Sequence, residues 1–200
     1  LSTASKEEAD RFVRNWRTRY VKPCHIKADK DVTERDIERY NLILYGSPWV
    51  NSVYARIAAD LPITVSKDGI VLKRADEDVK FATNGVGTRF VCANPINLYR
   101  YVVINASTTS EGLEGIDFRF GNWFDWIPYD NRAWYDYCIF DAKTISPETF
   151  LIAGYFNNDW KFDARWAWVG IESDRNSVLP RSYPKSVLPP ERPIVYLDEF

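Results

Sequence analysis

The sequence predicts a three-layer α/β domain, Rossmann- or flavodoxin-like, with a mixed sheet, N-terminal helices and an extended proline-rich C-terminal arm. Two observations predict the sheet. Residues 41–62 read as an apolar strand, a Gly-Ser-Pro turn and a short amphipathic helix, which together make one βα unit. Residues 101–106 form a continuous apolar run suited to a central strand buried on both faces. We therefore divide the chain into an N-terminal helical segment (1–40), an α/β core domain (41–171) and a proline-rich tail (172–200).

Two helices are predicted before the first strand. Residues 5–22 place aromatic and aliphatic side chains along one face, and Ser5 with Glu8 has the spacing of a capping box. A second, shorter helix at 32–40 is indicated by Asp31 as its N-cap, followed three residues later by Glu34. Both helices precede the βα unit, so the chain enters the sheet from a helical layer.

Short strands are predicted along the rest of the core, at 63–66, 70–73, 79–83, 88–93, 137–140 and 150–153. A turn at 67–69 separates the first two. Asn84 followed by Gly85 is the strongest hairpin signal in the chain, so we expect a hairpin between the strands at 79–83 and 88–93. A strand after Gly85 and Gly87 also argues against a dinucleotide fingerprint, which needs a helix there.

The composition narrows the classes of function. The 200 residues hold 26 basic and 28 acidic side chains, so the net charge of -2 gives no field that would attract nucleic acid or an anionic membrane. We expect no nucleic acid or membrane partner, but a protein, with glycan as a further possibility. Three cysteines without a C-x-x-C pair suggest no zinc site, and we predict no metal and no cofactor. They are free buried thiols, or one disulfide and one free thiol.

The chain contains no methionine. We therefore expect it to be a piece of a longer protein.

The carboxyl ends of the predicted strands are the expected place for a ligand, as in other α/β folds. Ser47 and Asn51 follow the first strand, and Ser107 and Thr108 follow the run at 101–106. We predict that these four residues line a crevice there.

Catalysis by this chain alone has little support in the sequence. Ser47 lacks the G-x-S-x-G spacing of a nucleophile elbow, and Pro48 removes the backbone N–H that helps form an oxyanion hole. Cys24 precedes His25, the one histidine, but adjacent side chains on an extended segment point in opposite directions. A small hydrolase using Ser47 or Cys24 with His25 is kept as an alternative, and no catalytic residue is assigned.

An aromatic segment at 118–140 has neither helical nor strand periodicity and holds ten aromatic residues. Trp123, Trp126 and Trp134 lie within it. We predict that these three tryptophans form an interaction surface, since aromatic side chains are enriched in protein interfaces. The alternative is a glycan-binding module that uses the aromatic loop 118–137, because flat rings stack on sugar faces.

A family resemblance is carried by eight segments: 41–48 with Asn51, 55–57, 61–63, 69–70, 94–97, 100–105, 136–141 and 153–160. Taken together, these segments resemble the C-terminal accessory domain attached to secreted prolyl-oligopeptidase-like or esterase-like α/β-hydrolases of environmental bacteria. The aromatic loop and the proline-rich tail depart from the family pattern. In that family the catalytic serine, acid and histidine belong to a separate upstream domain, so the resemblance carries no catalytic residue to this chain. It implies a non-catalytic accessory or interaction module that packs beside a peptidase or esterase domain or a like subunit. It also implies a secreted or periplasmic location.

Overall fold

Four helices and nine strands make up the described part of the chain. The structure, a computed structural model, describes residues 2–20, 23–113, 135–144 and 149–170. The helices are α1 (Ser2–Tyr20), α2 (Glu34–Arg39), α3 (Ser52–Ile57) and α4 (Ser110–Leu113). The strands are β1 (Leu42–Tyr45), β2 (Ile63–Ser66), β3 (Gly69–Leu72), β4 (Val79–Phe81), β5 (Gly87–Asn94), β6 (Asn97–Ser107), β7 (Tyr137–Phe140), β8 (Ile152–Phe156) and β9 (Phe162–Trp168).

Six strands form one mixed sheet in the order β1-β6-β5-β7-β8-β9, and β2, β3 and β4 form a second, antiparallel sheet. β1 runs parallel to β6, while the other paired neighbours in the six-stranded sheet are antiparallel. The predicted α/β class with a mixed sheet is confirmed. The Rossmann- or flavodoxin-like topology is a finer prediction that this strand order does not confirm.

The six-stranded sheet lies between two layers. On one face, α3 and the three-stranded sheet bury a large apolar cluster. It includes the fully buried residues Tyr54, Ile57, Ile70 and Ile104. On the other face, α1 and α4 pack over β7 and β8 through a smaller cluster around Ala4, Leu113 and Phe140. Because successive strand residues point to opposite faces, each inner strand contributes to both layers.

Helix α1 confirms the predicted N-terminal helix but begins earlier than expected. Ser5 lies inside the helix, so the predicted capping box with Glu8 is wrong. The Glu8 side chain is 1% exposed, and its Oε1 lies 3.1 Å from Nη2 of Arg11 one turn later. None of the described helices is long and apolar enough to cross a membrane.

Helix α2 is also confirmed, with a different cap. Thr33 is the N-cap: its hydroxyl accepts from the backbone N–H of Asp36, whose carboxylate accepts from the backbone N–H of Thr33. Asp31, the predicted cap, belongs to a short 3-10 helix, Asp29–Asp31. The reciprocal Thr-Asp pair satisfies two donors, which a lone aspartate further upstream cannot do.

The turn around Asn84 and Gly85 is not a hairpin, so that prediction is wrong. β4 pairs with β3 in the small sheet, and β5 pairs with β6 and β7 in the large one. The segment therefore connects two sheets. The predicted turn at 67–69 does join paired strands, with Ser66 opposite Gly69.

Candidate functional site

The candidate site is the end of the large sheet where the parallel strands β1 and β6 both terminate. Gly46 follows β1 with φ of 98°, and its N–H donates to the carbonyl of Asn105 at 2.9 Å. A Cβ atom at Gly46 would lie 2.8 Å from Oγ of Ser5 and 2.9 Å from a methyl group of Val50. Glycine is required here by both the backbone conformation and the contact with α1.

Ser47 and Ser107 come together at this end, and both are fully buried. The Ser47 hydroxyl donates to the backbone carbonyl of Ser107. The Ser107 hydroxyl donates in turn to the backbone carbonyl of Val86 at 2.9 Å. Thr108 donates to the same carbonyl through its N–H, at 3.0 Å, and its hydroxyl, at 3.3 Å. Three of the four predicted crevice residues, Ser47, Ser107 and Thr108, are thus linked by hydrogen bonds that end on the turn before β5.

Asn51 begins helix α3 at the edge of this group. Its Oδ1 accepts from the N–H of Tyr54 at 3.0 Å, which makes Asn51 the N-cap. Its Nδ2 donates to the carbonyl of Tyr45, the last residue of β1, at 3.1 Å. The amide therefore joins the end of the strand to the start of the helix.

The thiols of the described residues lie in surroundings that oppose ionisation. Burial raises the pKa of Cys92 and of Cys138 to about 12. The pKa of Cys24 is also raised, chiefly by partial burial, with a smaller opposing effect of Arg17. The neighbouring His25 ring packs against Tyr40, with centroids 5.5 Å apart. A nucleophilic cysteine needs a depressed pKa, so this geometry does not favour a thiol hydrolase.

A buried polar group on the α1 face of the sheet was not singled out by the sequence. Arg89 on β5 is 8% exposed, and its Nε donates to Oδ1 of the fully buried Asn105 at 2.8 Å. These residues are directly paired across β5 and β6, so their side chains share one face. The signal available was an arginine within an otherwise apolar strand, which demands a buried partner. No group of three or more metal-ligating side chains occurs in the described ranges.

The opposite end of the sheet displays apolar side chains at the β5–β6 hairpin. Leu98 is 75% exposed, Tyr99 is 93% exposed and Tyr101 is 51% exposed. We call these three residues the hairpin tip. Trp160, in the turn between β8 and β9, packs edge-on against Tyr101 with ring centroids 5.7 Å apart. The sequence analysis missed the hairpin tip because its side chains continue the apolar pattern of a strand. The available signal was the Asn-Pro pair at 94–95, which is typical of a turn and shortly precedes Leu98 and Tyr99.

Trp160 has a positive φ of 58°, the only such non-glycine residue among those described. Its N–H donates to the carbonyl of Asn157 at 3.0 Å, and the Asn157 side chain accepts from the N–H groups of Asp159 and Lys161. A backbone with this positive φ at a residue other than glycine costs about 1–3 kcal/mol of folding free energy. It persists where the surrounding structure fixes it, as the hydrogen bonds of this turn do.

The predicted interaction surface of Trp123, Trp126 and Trp134 lies outside the described residues, as does the proline-rich tail (172–200). Comparisons of the chain with known protein families, with curated proteins and with solved structures found no significant match.

Proposed function

We propose that this chain is a non-catalytic accessory module of a larger, secreted or periplasmic hydrolase, a peptidase or an esterase, and that it packs against the catalytic domain. The observation that carries the proposal is the exposed hairpin tip of Leu98, Tyr99 and Tyr101. Tyrosine side chains are enriched at the centre of protein interfaces, and two of these three exposed residues are tyrosines.

The strand ends support the same proposal. The side chains of Ser47, Asn51, Ser107 and Thr108 all hydrogen-bond to the backbone of this chain. A serine that acts as a nucleophile needs a general base, whereas the Ser47 hydroxyl is fully buried and donates to a carbonyl. This arrangement favours a structural role over a small hydrolase using Ser47, or Cys24, with His25.

The finer fold assignment is part of the proposal. A parallel pair, β1 and β6, with helix α3 starting directly after β1, is the arrangement shared by Rossmann- and flavodoxin-like domains. We propose that this portion is the remnant of such a domain, extended on the β5 side by antiparallel strands.

The test uses the native gene product. An antibody against this chain is used to isolate the protein from the source material, which is then labelled with a fluorophosphonate probe that reacts with active serine hydrolases. We expect a band much larger than 23.3 kDa that carries the label, while the isolated chain stays unlabelled. A native band of the same size as this chain, without label, contradicts the accessory role. Labelling of the isolated chain that is lost in Ser47→Ala supports the small hydrolase instead.

The hairpin tip is tested by hydroxyl-radical footprinting of the native protein beside the isolated chain. Tyr99 is 93% exposed in this chain, so we expect its oxidation to fall strongly when the catalytic domain is present. Trp49 is the internal control, because it follows the carboxyl end of β1, at the opposite end of the sheet, and is 37% exposed. Equal oxidation of Tyr99 in both samples means that the tip is not the interface.

A glycan-binding module is the second candidate. The observation in its favour is the edge-on pair of Tyr101 and Trp160 beside the exposed Tyr99, which offers aromatic surface for a sugar ring. Gel electrophoresis in soluble polysaccharides separates the two candidates. Retardation that is lost in Trp123→Ala, Trp126→Ala and Trp134→Ala supports glycan binding by the aromatic loop, and loss in Tyr99→Ala places it at the hairpin tip. Unchanged mobility on every polysaccharide eliminates this function.

A further inference from the structure

The connection between the two sheets contains a reactive dipeptide. Asn84 is exposed and Gly85 is buried, with a φ of 66°. The turn is closed by one backbone hydrogen bond, from the N–H of Val86 to the carbonyl of Thr83 at 3.3 Å. Because β4 and β5 belong to different sheets, no strand ladder continues across this turn.

Two groups in this turn are available for reaction with each other. Within the described residues, neither the side-chain amide of Asn84 nor the backbone N–H of Gly85 makes a hydrogen bond. Gly85 has no side chain to shield its nitrogen. An asparagine side chain next to an unhindered glycine nitrogen is the arrangement in which the nitrogen can attack the amide carbon.

Asn51 provides the contrast within the same chain. It also precedes a small residue, Ser52, but both ends of its side-chain amide are hydrogen-bonded, to the N–H of Tyr54 and the carbonyl of Tyr45. The N–H of Ser52 donates to the carboxylate of Asp29 at 2.7 Å. Three hydrogen bonds must open before the equivalent attack can begin there.

We propose that Asn84 is a site of spontaneous modification, by deamidation through a succinimide, in the folded protein. The nitrogen of Gly85 loses its proton to solvent and bonds to Cγ of Asn84. The Cγ–Nδ2 bond of the side-chain amide breaks, and the departing NH₂ group takes up a proton from solvent and leaves as ammonia. Water then adds to one of the two imide carbonyls and opens the ring, which leaves either aspartate or isoaspartate. No oxidant, metal or enzyme is needed.

Modification of Asn84 is expected to affect the end of the large sheet where β1 and β6 terminate, because the turn contacts that end. A Cβ atom at Gly112 would lie 2.5 Å from the carbonyl oxygen of Gly85, so the turn is packed directly against α4. The next carbonyl, of Val86, accepts the bonds from Ser107 and Thr108. Isoaspartate adds one atom to the backbone of this turn and a negative charge beside it. Because α4 leaves no room on its side of the turn, we expect Val86 to shift. The hydrogen bonds from Ser107 and Thr108 to its carbonyl should then weaken.

The experiment follows both asparagines during incubation of the folded chain at mildly alkaline pH. Peptide mapping by mass spectrometry detects the replacement of an amide NH₂ by OH, and an isoaspartate methyltransferase detects the rearranged product. We expect conversion at Asn84 to be roughly a hundredfold faster than at Asn51, since three hydrogen bonds at Asn51 must first open. In urea the difference between the two sites should shrink to that of the free peptides. Equal rates at the two asparagines in the folded chain overturn the proposal.

A variant tests the structural consequence. Asn84→Gln keeps the amide, but its longer side chain forms the corresponding ring much more slowly. Hydrogen exchange at the N–H of Thr108, which donates to the Val86 carbonyl at 3.0 Å, should accelerate in the aged wild type and stay constant in aged Asn84→Gln. Conversion of Asn84 with unchanged exchange at Thr108 overturns the coupling to the sheet. Conversion that is as fast in Asn84→Gln as in the wild type overturns the assignment of the site.

Discussion

Asn51 is expected to contribute to stability through two separate hydrogen bonds. Replacing it by alanine removes the acceptor for the N–H of Tyr54, which is the N-cap of α3, and the donor to the carbonyl of Tyr45. Loss of an asparagine cap typically costs about 1 kcal/mol. The lost bond to the buried end of β1 adds about 1 kcal/mol.

The free energy of unfolding of Asn51→Ala should therefore fall by about 2 kcal/mol, which lowers the Tm by roughly 4–8 °C for a domain of this length. Urea unfolding with an unchanged m-value measures the loss. Asn51→Ser is the matched control, because its hydroxyl keeps the cap acceptor but is too short to reach Tyr45. It should lose about half as much. If Asn51→Ala is as stable as the wild type, Asn51 is not part of the structural frame, and a ligand-binding role for it gains support.

Three further predictions concern a backbone position, the thiols and acid stability. Gly46→Ala should lower the free energy of unfolding by more than about 1 kcal/mol, measured by urea unfolding, because the φ of 98° and the contact with α1 both oppose a side chain. With a thiol reagent at neutral pH, Cys24 alone should react in the folded chain, because the pKa of Cys92 and of Cys138 is raised to about 12. All three thiols should react after unfolding. More than one reactive thiol in the native state contradicts the described burial. The hydrogen bonds from Ser52 lower the pKa of Asp29 below its ordinary 3.8, so the stability from this carboxylate is complete above 3.8 and lost as the pH falls through the lower folded value. Asp29→Asn should therefore flatten the acid side of the stability curve, and an unchanged acid side refutes the assignment.

Much of the strand pattern could be predicted because it depends on local periodicity. The strands at 63–66 and 137–140 coincide with β2 and β7, and the apolar run at 101–106 lies within β6, an inner strand of the large sheet. The strand β9 was missed, although residues 162–166 alternate between apolar and charged side chains, and most of its side chains are half-buried. Which strands pair could not be read from the sequence. The Asn84 turn has every local feature of a hairpin, and only the tertiary structure assigns its two flanking strands to different sheets.

Ser47 and Asn51 follow β1, Ser107 is the last residue of β6 and Thr108 follows it. The hydrogen bonds of Ser47, Ser107 and Thr108 depend on partners far away in the sequence, whereas those of Asn51 are local. Ser47 and Ser107 are sixty residues apart and meet because β1 and β6 are parallel neighbours in register. The backbone carbonyl that accepts from Ser107 belongs to Val86, in a turn that the sequence assigned to a hairpin. The sequence shows that polar side chains lie at a strand end. It does not show whether their hydrogen-bond partners belong to the chain itself or to a ligand.

The sheet topology explains why the polar side chains at this strand end hydrogen-bond to the backbone of the same chain. In a doubly wound sheet, a crevice opens where adjacent parallel strands send their connections to opposite faces. Here β1 and β6 are the one parallel pair of the described sheet, and the next neighbour, β5, runs the other way. The turn that leads into β5 therefore arrives at the very end where β1 and β6 terminate, and its Val86 carbonyl lies where the crevice would open. An antiparallel strand beside a parallel pair closes the site with backbone. The exposed apolar residues of the hairpin tip lie at the other end of the same strands.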